Sequence, residues 1–527
     1  MTNQFKKPIH LLFVIGVAGA LLSSSVLAAA TLLLAITGFV ISYRKSLYQA
    51  GWDKPKELRL LHFAFWFFVL VNVYSWALEG FSYEGGKTLG THARFILFWP
   101  LIIALSYARL GANTVFAGAG LMAVSIFGLL GSALLTNQGS LELLLSSRFG
   151  GGINPISFGN IALLGSFLTL TGGLFFYRSK RRPLALLFIV TGVGAAAIAM
   201  LSQTRSNLIA LPFLLLLLVP LLSRNLRIVS LIAIPVLLMT AIATNDRMSG
   251  QIDGLMNDDT LDSGITIRME VWGQAWHMFA DNPWTGVGLG GYTREIEASV
   301  ASGESSAVLI DCCAGHAHND LLNIAAKIGI PGILSWAFLI FIPLAIFARH
   351  LFSTHTATAH LAVAGSMVSV GYLLFGLTEA TFNRTLFLTF YLLSVSGIAA
   401  ALFNELGTSY VRQRTKTVSA TIITKNEEDH IADCLKSARL VADEIIVLDS
   451  GSTDRTVEIA KQYADILEVT DWPGFGIQKQ RALEKATGDW VLSLDADERI
   501  TPELAREINH RLADPDADAY KLPWAVT

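Results

Sequence analysis

Residues 184–222 read LALLFIVTGVGAAAIAMLSQTRSNLIALPFLLLLLVPLL, two apolar runs joined by a short polar turn, with Arg205 as the only charged side chain. Each run approaches the length a helix needs to cross a hydrocarbon core about 30 Å thick. Backbone placed in lipid must satisfy its own polar groups. The stretch therefore reads as two spans, 184–202 and 207–222, of an all-α polytopic membrane protein. A guanidinium in so short a connection needs a counter-charge, a ligand or water; a snorkelling side chain at a helix end is the alternative.

Outward from this pair the same pattern recurs. Of 527 residues 53% are hydrophobic and 15% charged, with a mean hydropathy of +0.51, whereas a soluble domain carries about 25% charged residues. Twelve spans are expected: 9–23, 25–42, 58–78, 92–108, 112–135, 155–177, 184–202, 207–222, 226–244, 320–347, 357–378 and 385–405. Lys6, Lys7 and Ala28–Ala30 imitate a signal peptide, but apolar sequence continues past the small residues, so the first span reads as uncleaved.

Basic residues follow every second span: Arg44, Lys45, Lys54, Lys56 and Arg59; Arg178, Lys180, Arg181 and Arg182; Arg224 and Arg227; Arg412, Arg414 and Lys416. Lysine and arginine stay on the cytoplasmic side. Both termini are thus expected in the cytoplasm and the long loop 245–319 outside, as a folded cap. Ile267, Val271, Trp272, Ala275, Trp276 and Phe279 give that loop a helical period ended by Asn282-Pro283. A net charge of −2 excludes a broad nucleic-acid surface. Three cysteines cannot build a disulfide scaffold, and pairing the adjacent Cys312 and Cys313 would need strained geometry.

Arg148 shares the side of Arg205, Arg268 opens the cap helix, and Glu379 and Arg384 flank the last outer turn. Guanidinium forks grip phosphate oxygens bidentately and stay charged at any working pH, so this cluster suits a membrane-embedded diphosphate; Arg247 and Arg294 read instead as salt-bridge partners of acids in the loop. Asp311-Cys-Cys-Ala-Gly-His-Ala-His-Asn-Asp320 runs into the tenth span. His316 or His318 can take a proton from a sugar hydroxyl near neutral pH. Zinc ligation by Asp311, the cysteines and the histidines and a purely structural helix cap are the competing readings.

The segments 148–159 (RFGGGINPISFG), the Arg205 turn, 282–290 (NPWTGVGLG), 316–322 (HAHNDLL) and 329–332 (GIPG) together resemble the O-antigen ligase family across roughly residues 60–405. The resemblance implies metal-independent, cofactor-free transfer on the periplasmic face of the bacterial inner membrane. A glycan would move from undecaprenyl diphosphate to a lipid A–core acceptor. It implies that Arg205 and Arg268 hold the diphosphate and His318 activates the acceptor, the choice over His316 resting on the adjoining Asn319. O-antigen polymerases and protein O-oligosaccharyltransferases share the pattern, and a lipid-linked glycan transporter is the non-enzyme alternative.

Past Lys416 the composition changes. Apolar strands at 418–423, 444–448 and 490–494 alternate with helical stretches, which means a parallel sheet with acids at strand C-terminal ends. This part, 416–527 against 1–410 for the membrane part, resembles a family 2 nucleotide-sugar glycosyltransferase of the kind that builds lipopolysaccharide core, a truncated α/β domain of GT-A type. The resemblance implies that Asp449 contacts the nucleoside and that Asp495 and Asp497 hold a magnesium or manganese ion on the donor phosphates. The acceptor half is not expected before Thr527, so donor binding without turnover is expected.

Overall fold

The computed structural model describes residues 6–43, 56–136, 148–223, 225–228, 230, 263–413, 416–512, 515 and 517–522. Two compact units emerge, one reaching Asn404 and one beginning at Glu405. The first is helical. Among the described residues nine helices are long and apolar enough to cross a bilayer: Ser24–Tyr43, Lys56–Leu78, Tyr83–Tyr107, Ala112–Thr136, Pro155–Arg178, Arg182–Met200, Ile330–Ala348, Thr356–Phe375 and Thr385–Leu406. Pro155–Arg178, Thr356–Phe375 and Thr385–Leu406 are buried along most of their length and form the centre of the bundle. Peripheral helices leave Leu70, Leu121, Leu186 and Val190 exposed, as a lipid-facing surface requires.

Three expected spans take a different form. The first is a 14-residue helix, Lys6–Gly19, separated from the next by a turn. The eighth is the helix Arg205–Leu218, carrying Pro212, which tightens into a 3₁₀ turn at Val219–Leu221. The tenth is broken into Asp320–Ile328 and Ile330–Ala348 by Gly329 at φ 73°. The break has a packing cause: a side chain at Gly329 would place its Cβ 2.5 Å from the Pro283 carbonyl oxygen, which accepts from Ile330 N–H at 2.8 Å. The ninth span, 226–244, lies almost wholly outside the described residues, as do cap residues 245–262 with Arg247, and Arg44, Lys45, Lys54, Arg224 and Arg414.

The described part of the cap consists of the helices Ser263–Asp281, Gly291–Ala301 and Val308–Cys313 around a small core of Val271, Ala275, Met278, Tyr292, Ile296 and Leu309. Trp276 departs from the expected buried face: it is exposed, and Met278 takes the inward position. The loop 282–290 is bolted to the membrane helices at both flanks. Val287 and Gly288 N–H donate to Ala326 and Lys327 O at 2.9 and 3.0 Å. The buried Glu79 carboxylate accepts from Gly290 N–H at 2.9 Å and from the Ser82 hydroxyl at 2.8 Å. Gly286 and Gly288 sit at φ 62° and 89°, where a side chain would strike Lys327 backbone and Glu79. Arg294 reaches Glu79 at 3.5 Å, a salt bridge to the end of a membrane helix rather than to an acid of its own loop.

In the second unit four parallel strands, β1 (Val418–Thr424), β2 (Glu444–Asp449), β3 (Ile466–Val469) and β4 (Trp490–Asp495), lie in the order β3-β2-β1-β4. The short edge strand β3 carries no alternating pattern and lies outside the strands the sequence predicts. Register pairs Thr424 with Asp449 and Ile423 with Asp495, so the acids gather at the strand C-terminal edge. The strand order reverses beside β1, and the ends of β1 and β4 there frame the crevice where such sheets bind ligands.

Candidate active site

The histidine loop is positioned by its helix. Asn319 caps Asp320–Ile328, its side-chain oxygen accepting from Leu322 N–H at 3.0 Å, while its amide donates to Leu377 O at 3.1 Å. Asp320 N–H donates to Gly376 O at 2.8 Å. The Asp320 carboxyl is buried, accepting from the Thr381 hydroxyl in a short hydrogen bond and from Phe382 N–H at 3.3 Å. Burial pushes this carboxyl up to about 8 against the pull of both donors, so it is protonated at neutral pH. These contacts stitch 316–320 to the turn 376–384, which begins beyond a separate span. Glu379 and Arg384 thereby come beside the two histidines.

His318 Nδ1 lies 3.7 Å from Glu379 Oε1, an ion-pair distance rather than a hydrogen bond, and Arg384 Nε reaches the same oxygen at 3.3 Å. The His316 and His318 rings meet edge to face with centroids 4.3 Å apart. Burial opposes the Glu379 charge, but His318, Arg384 and His316 outweigh it and hold the carboxyl down at about 2. Burial, with His318 adding to it, lowers His316 to about 4, so its imidazole is neutral at working pH. His318 adopts φ 49°, a left-handed conformation unusual for a side-chain-bearing residue. Trp272 Nε1 on Ala317 O and Lys327 Nζ on Gly315 O, both at 2.9 Å, brace the loop that holds it there. Strained residues of this kind concentrate at functional sites.

The expected arginines converge on the same place. Arg148 Nε donates to Ser202 O at 3.2 Å and Phe149 N–H to Leu201 O at 3.0 Å, which ties the Arg148 segment to the turn carrying Arg205. Gly159 permits that turn to sit close, since a Cβ there would lie 2.1 Å from Ser202 Oγ. Arg268 is depressed by burial first and then by Arg205 and Arg148, while Glu379 acts in the opposite sense. Four guanidiniums thus share one mouth with one carboxylate. Asp320, neutral there, adds no charge.

His316, His318 and Glu379 offer ligand atoms within 4.8 Å of one another, a donor set that zinc could use. The surrounding arginines oppose a cation, because like charges at such range repel strongly in a partly dry site. Cys312 and Cys313 are joined as an adjacent-residue disulfide, contrary to the expectation from their geometry, and so supply no thiolate to such a site. The arrangement suits an anion held beside an imidazole.

In the sheet unit Asp449 is fully buried, and its oxygens accept from Gly451 and Ser452 N–H at 2.9 and 2.8 Å and from the Ser452 hydroxyl. It shapes the turn 449–452. Asn426 and Thr453, joined at 2.8 Å, knit that region to the loop after β1. Asp495 ends β4 with Lys479 Nζ 2.9 Å from its Oδ1, and Asp497 is exposed just beyond. Two carboxylates at the crevice are the hard oxygen set that magnesium or manganese prefers, so the residues fit such an ion.

Residues 190–337 match the family model described as O-antigen ligase, a range containing Arg205, Arg268, His316 and His318. Residues 419–526 match the glycosyl transferase family 2 model, which takes in Asp449, Asp495 and Asp497. An uncharacterized glycosyltransferase of Rickettsia typhi is 44% identical over 105 residues, 20% of this chain and 36% of that protein. The lipopolysaccharide core biosynthesis glycosyltransferase LpsC of Rhizobium meliloti is 38% identical over 104 residues, 19% of this chain and 38% of that protein. The chain spans little more than a third of the length of these curated relatives. A helical membrane part with a segment that matches the O-antigen ligase family model is thus joined in one chain to a segment similar to family 2 glycosyltransferases.

Proposed function

We propose that the membrane part, residues 1–410 with the cap 245–319 on the periplasmic side of the bacterial inner membrane, transfers a glycan from undecaprenyl diphosphate to a lipid A–core hydroxyl. The observation that carries this reading is the meeting of Arg148, Arg205, Arg268 and Arg384 with the His318–Glu379 pair at one mouth of the helix bundle.

Arg205 and Arg268, with Arg148 beside them, hold the donor diphosphate. As the bond between the anomeric carbon and the phosphate oxygen breaks, its electron pair goes to the leaving diphosphate, and the guanidiniums stabilise that charge. The acceptor oxygen forms the new bond to the anomeric carbon from the opposite face, giving inversion. Its proton passes to His318. Glu379 faces His318 Nδ1, which leaves Nε2 for the acceptor, and it offsets the positive charge the imidazole gains. The 3.7 Å separation is the looseness expected before substrate arrives. His316, made a weak base by burial and not facing Glu379, is a neighbour in this reading rather than a second base.

Replacing Arg205, Arg268 and His318 singly by alanine in cells lacking the native gene tests the assignment. Loss of long-chain lipopolysaccharide with accumulation of free core is the expected pattern. Single-repeat chains would indicate a polymerase, and normal long chains in all three variants would reject the assignment.

For residues 416–527 we propose a cytoplasmic sugar-nucleotide site in which Asp495 and Asp497 would hold magnesium or manganese. The bound ion would neutralise the donor diphosphate, while Asp449 keeps the nucleotide loop in shape.

A further inference from the structure

The cap helix Ser263–Asp281 has three faces where two would suffice for a soluble cap. Val271, Ala275 and Met278 face the cap core, and Glu270, Gln274, His277 and Asp281 form a polar face. Met269, Gly273, Trp276 and Ala280 make a third face, within about 60° of arc at 100° per residue. It contains no charge, and it leaves Met269 60% and Trp276 56% exposed. Trp284, just past the helix end, is 68% exposed.

The position of that end decides what covers the stripe. Ile330, which opens a bilayer-spanning helix, donates its N–H to Pro283 O at 2.8 Å. The end of the cap helix is therefore at a span's end, and the span continues the exposed apolar surface with Leu334 and Phe341. Tryptophan is enriched at that level of a membrane, its ring among the acyl chains and its N–H in the headgroups. A helix that exposes an apolar stripe beside a polar face has the form of one that lies in the interface plane.

We propose that the Met269–Trp276–Ala280 stripe, with Trp284, rests on the bilayer surface and fixes the depth of the cap. Arg268 immediately precedes Met269 in this helix, so the seated helix holds that guanidinium at headgroup level. This consequence, and it alone, rests on the diphosphate reading above.

Full-length protein in phosphatidylcholine nanodiscs gives the test, with W276C, M269C and H277C each labelled by an environment-sensitive fluorophore. Unmutated protein sets the labelling background, since Cys434 is buried and Cys312–Cys313 is a disulfide. Labels at 276 and 269 are expected to emit to the blue and to be quenched several-fold more by lipids brominated near the headgroup than the label at 277. Two substituted stripe positions guard against one variant failing to fold. Equal quenching at all three sites by aqueous iodide would overturn the proposal. So would protection of position 276 only when lipid-linked glycan is added, which would make the stripe a sugar platform. None of these readouts involves glycosyl transfer, so failure of the ligase reading and failure of this one are separately visible.

Discussion

His318 and Glu379 carry the most sharply testable residue-scale consequences. H318A is expected to lower transfer about 10²–10⁴-fold, the usual worth of a general base. R205A or R268A is expected to cost about 10²–10³-fold, as for removal of one donor to a developing oxyanion. H316A should cost much less than H318A, because His316 is not the one facing the carboxylate. Purified variants assayed with lipid-linked glycan and core acceptor would show whether that order holds. Asp320 gives a second check. Its carboxyl, raised to about 8, is neutral in the folded protein, so D320N should keep fold and activity while D320A loosens the loop that carries the histidines. The folded group takes up a proton that the unfolded one releases above about 3.9. Its contribution is full in acid and fades as pH rises through 8, so D320N should gain stability relative to wild type across that window.

At the scale of elements, the loop 282–290 and the broken helix at Gly329 are one joint. A Cβ at Gly286 would lie 2.3 Å from the Lys327 carbonyl carbon, and that backbone cannot swing aside as a side chain can. G286A and G329A should each lower the unfolding temperature by several degrees, and do so more than G303A, whose position has open space around it. Differential scanning fluorimetry in detergent would measure this; G303A serves because all three glycines share positive φ. The cap also carries an acid-sensitive element. His316 titrates at about 4 when folded and about 6.5 when unfolded. Its contribution is therefore present above about 6.5 and lost as pH falls towards 4. H316Q should flatten the acid side of the stability profile, the reverse of the D320N effect, and a pH series of melting curves on both variants separates the two.

At the scale of the whole molecule, two sites of opposite charge share one chain. The membrane site is crowded with guanidiniums, whereas the sheet unit carries Asp495, paired with Lys479, and Asp497 at its strand ends. Manganese with a uridine-diphosphate sugar should release heat on titration into the full-length protein in detergent, and D495N/D497N should abolish that heat. Transfer from the lipid-linked donor should survive the double substitution and a metal chelator. A chelator that stopped lipid-linked transfer would assign His316, His318 and Glu379 to a metal instead.

The helical membrane class was readable from hydropathy alone, because lipid leaves so few options for satisfying backbone polar groups. Three of the four strands were readable likewise, since strand and helix periods alternate and acids end the strands, whereas the short edge strand β3 shows no such pattern. Arg205 is legible because a charge is costly between two spans, and Arg268, His316 and His318 through the shared side and the motifs on which the resemblance rests. Only the tertiary structure could pair His318 with Glu379 across 61 residues, break the tenth span at Gly329, and turn Trp276 outward. Those outcomes depend on which segment packs against which, and packing between segments distant in sequence leaves no period for a sequence to display.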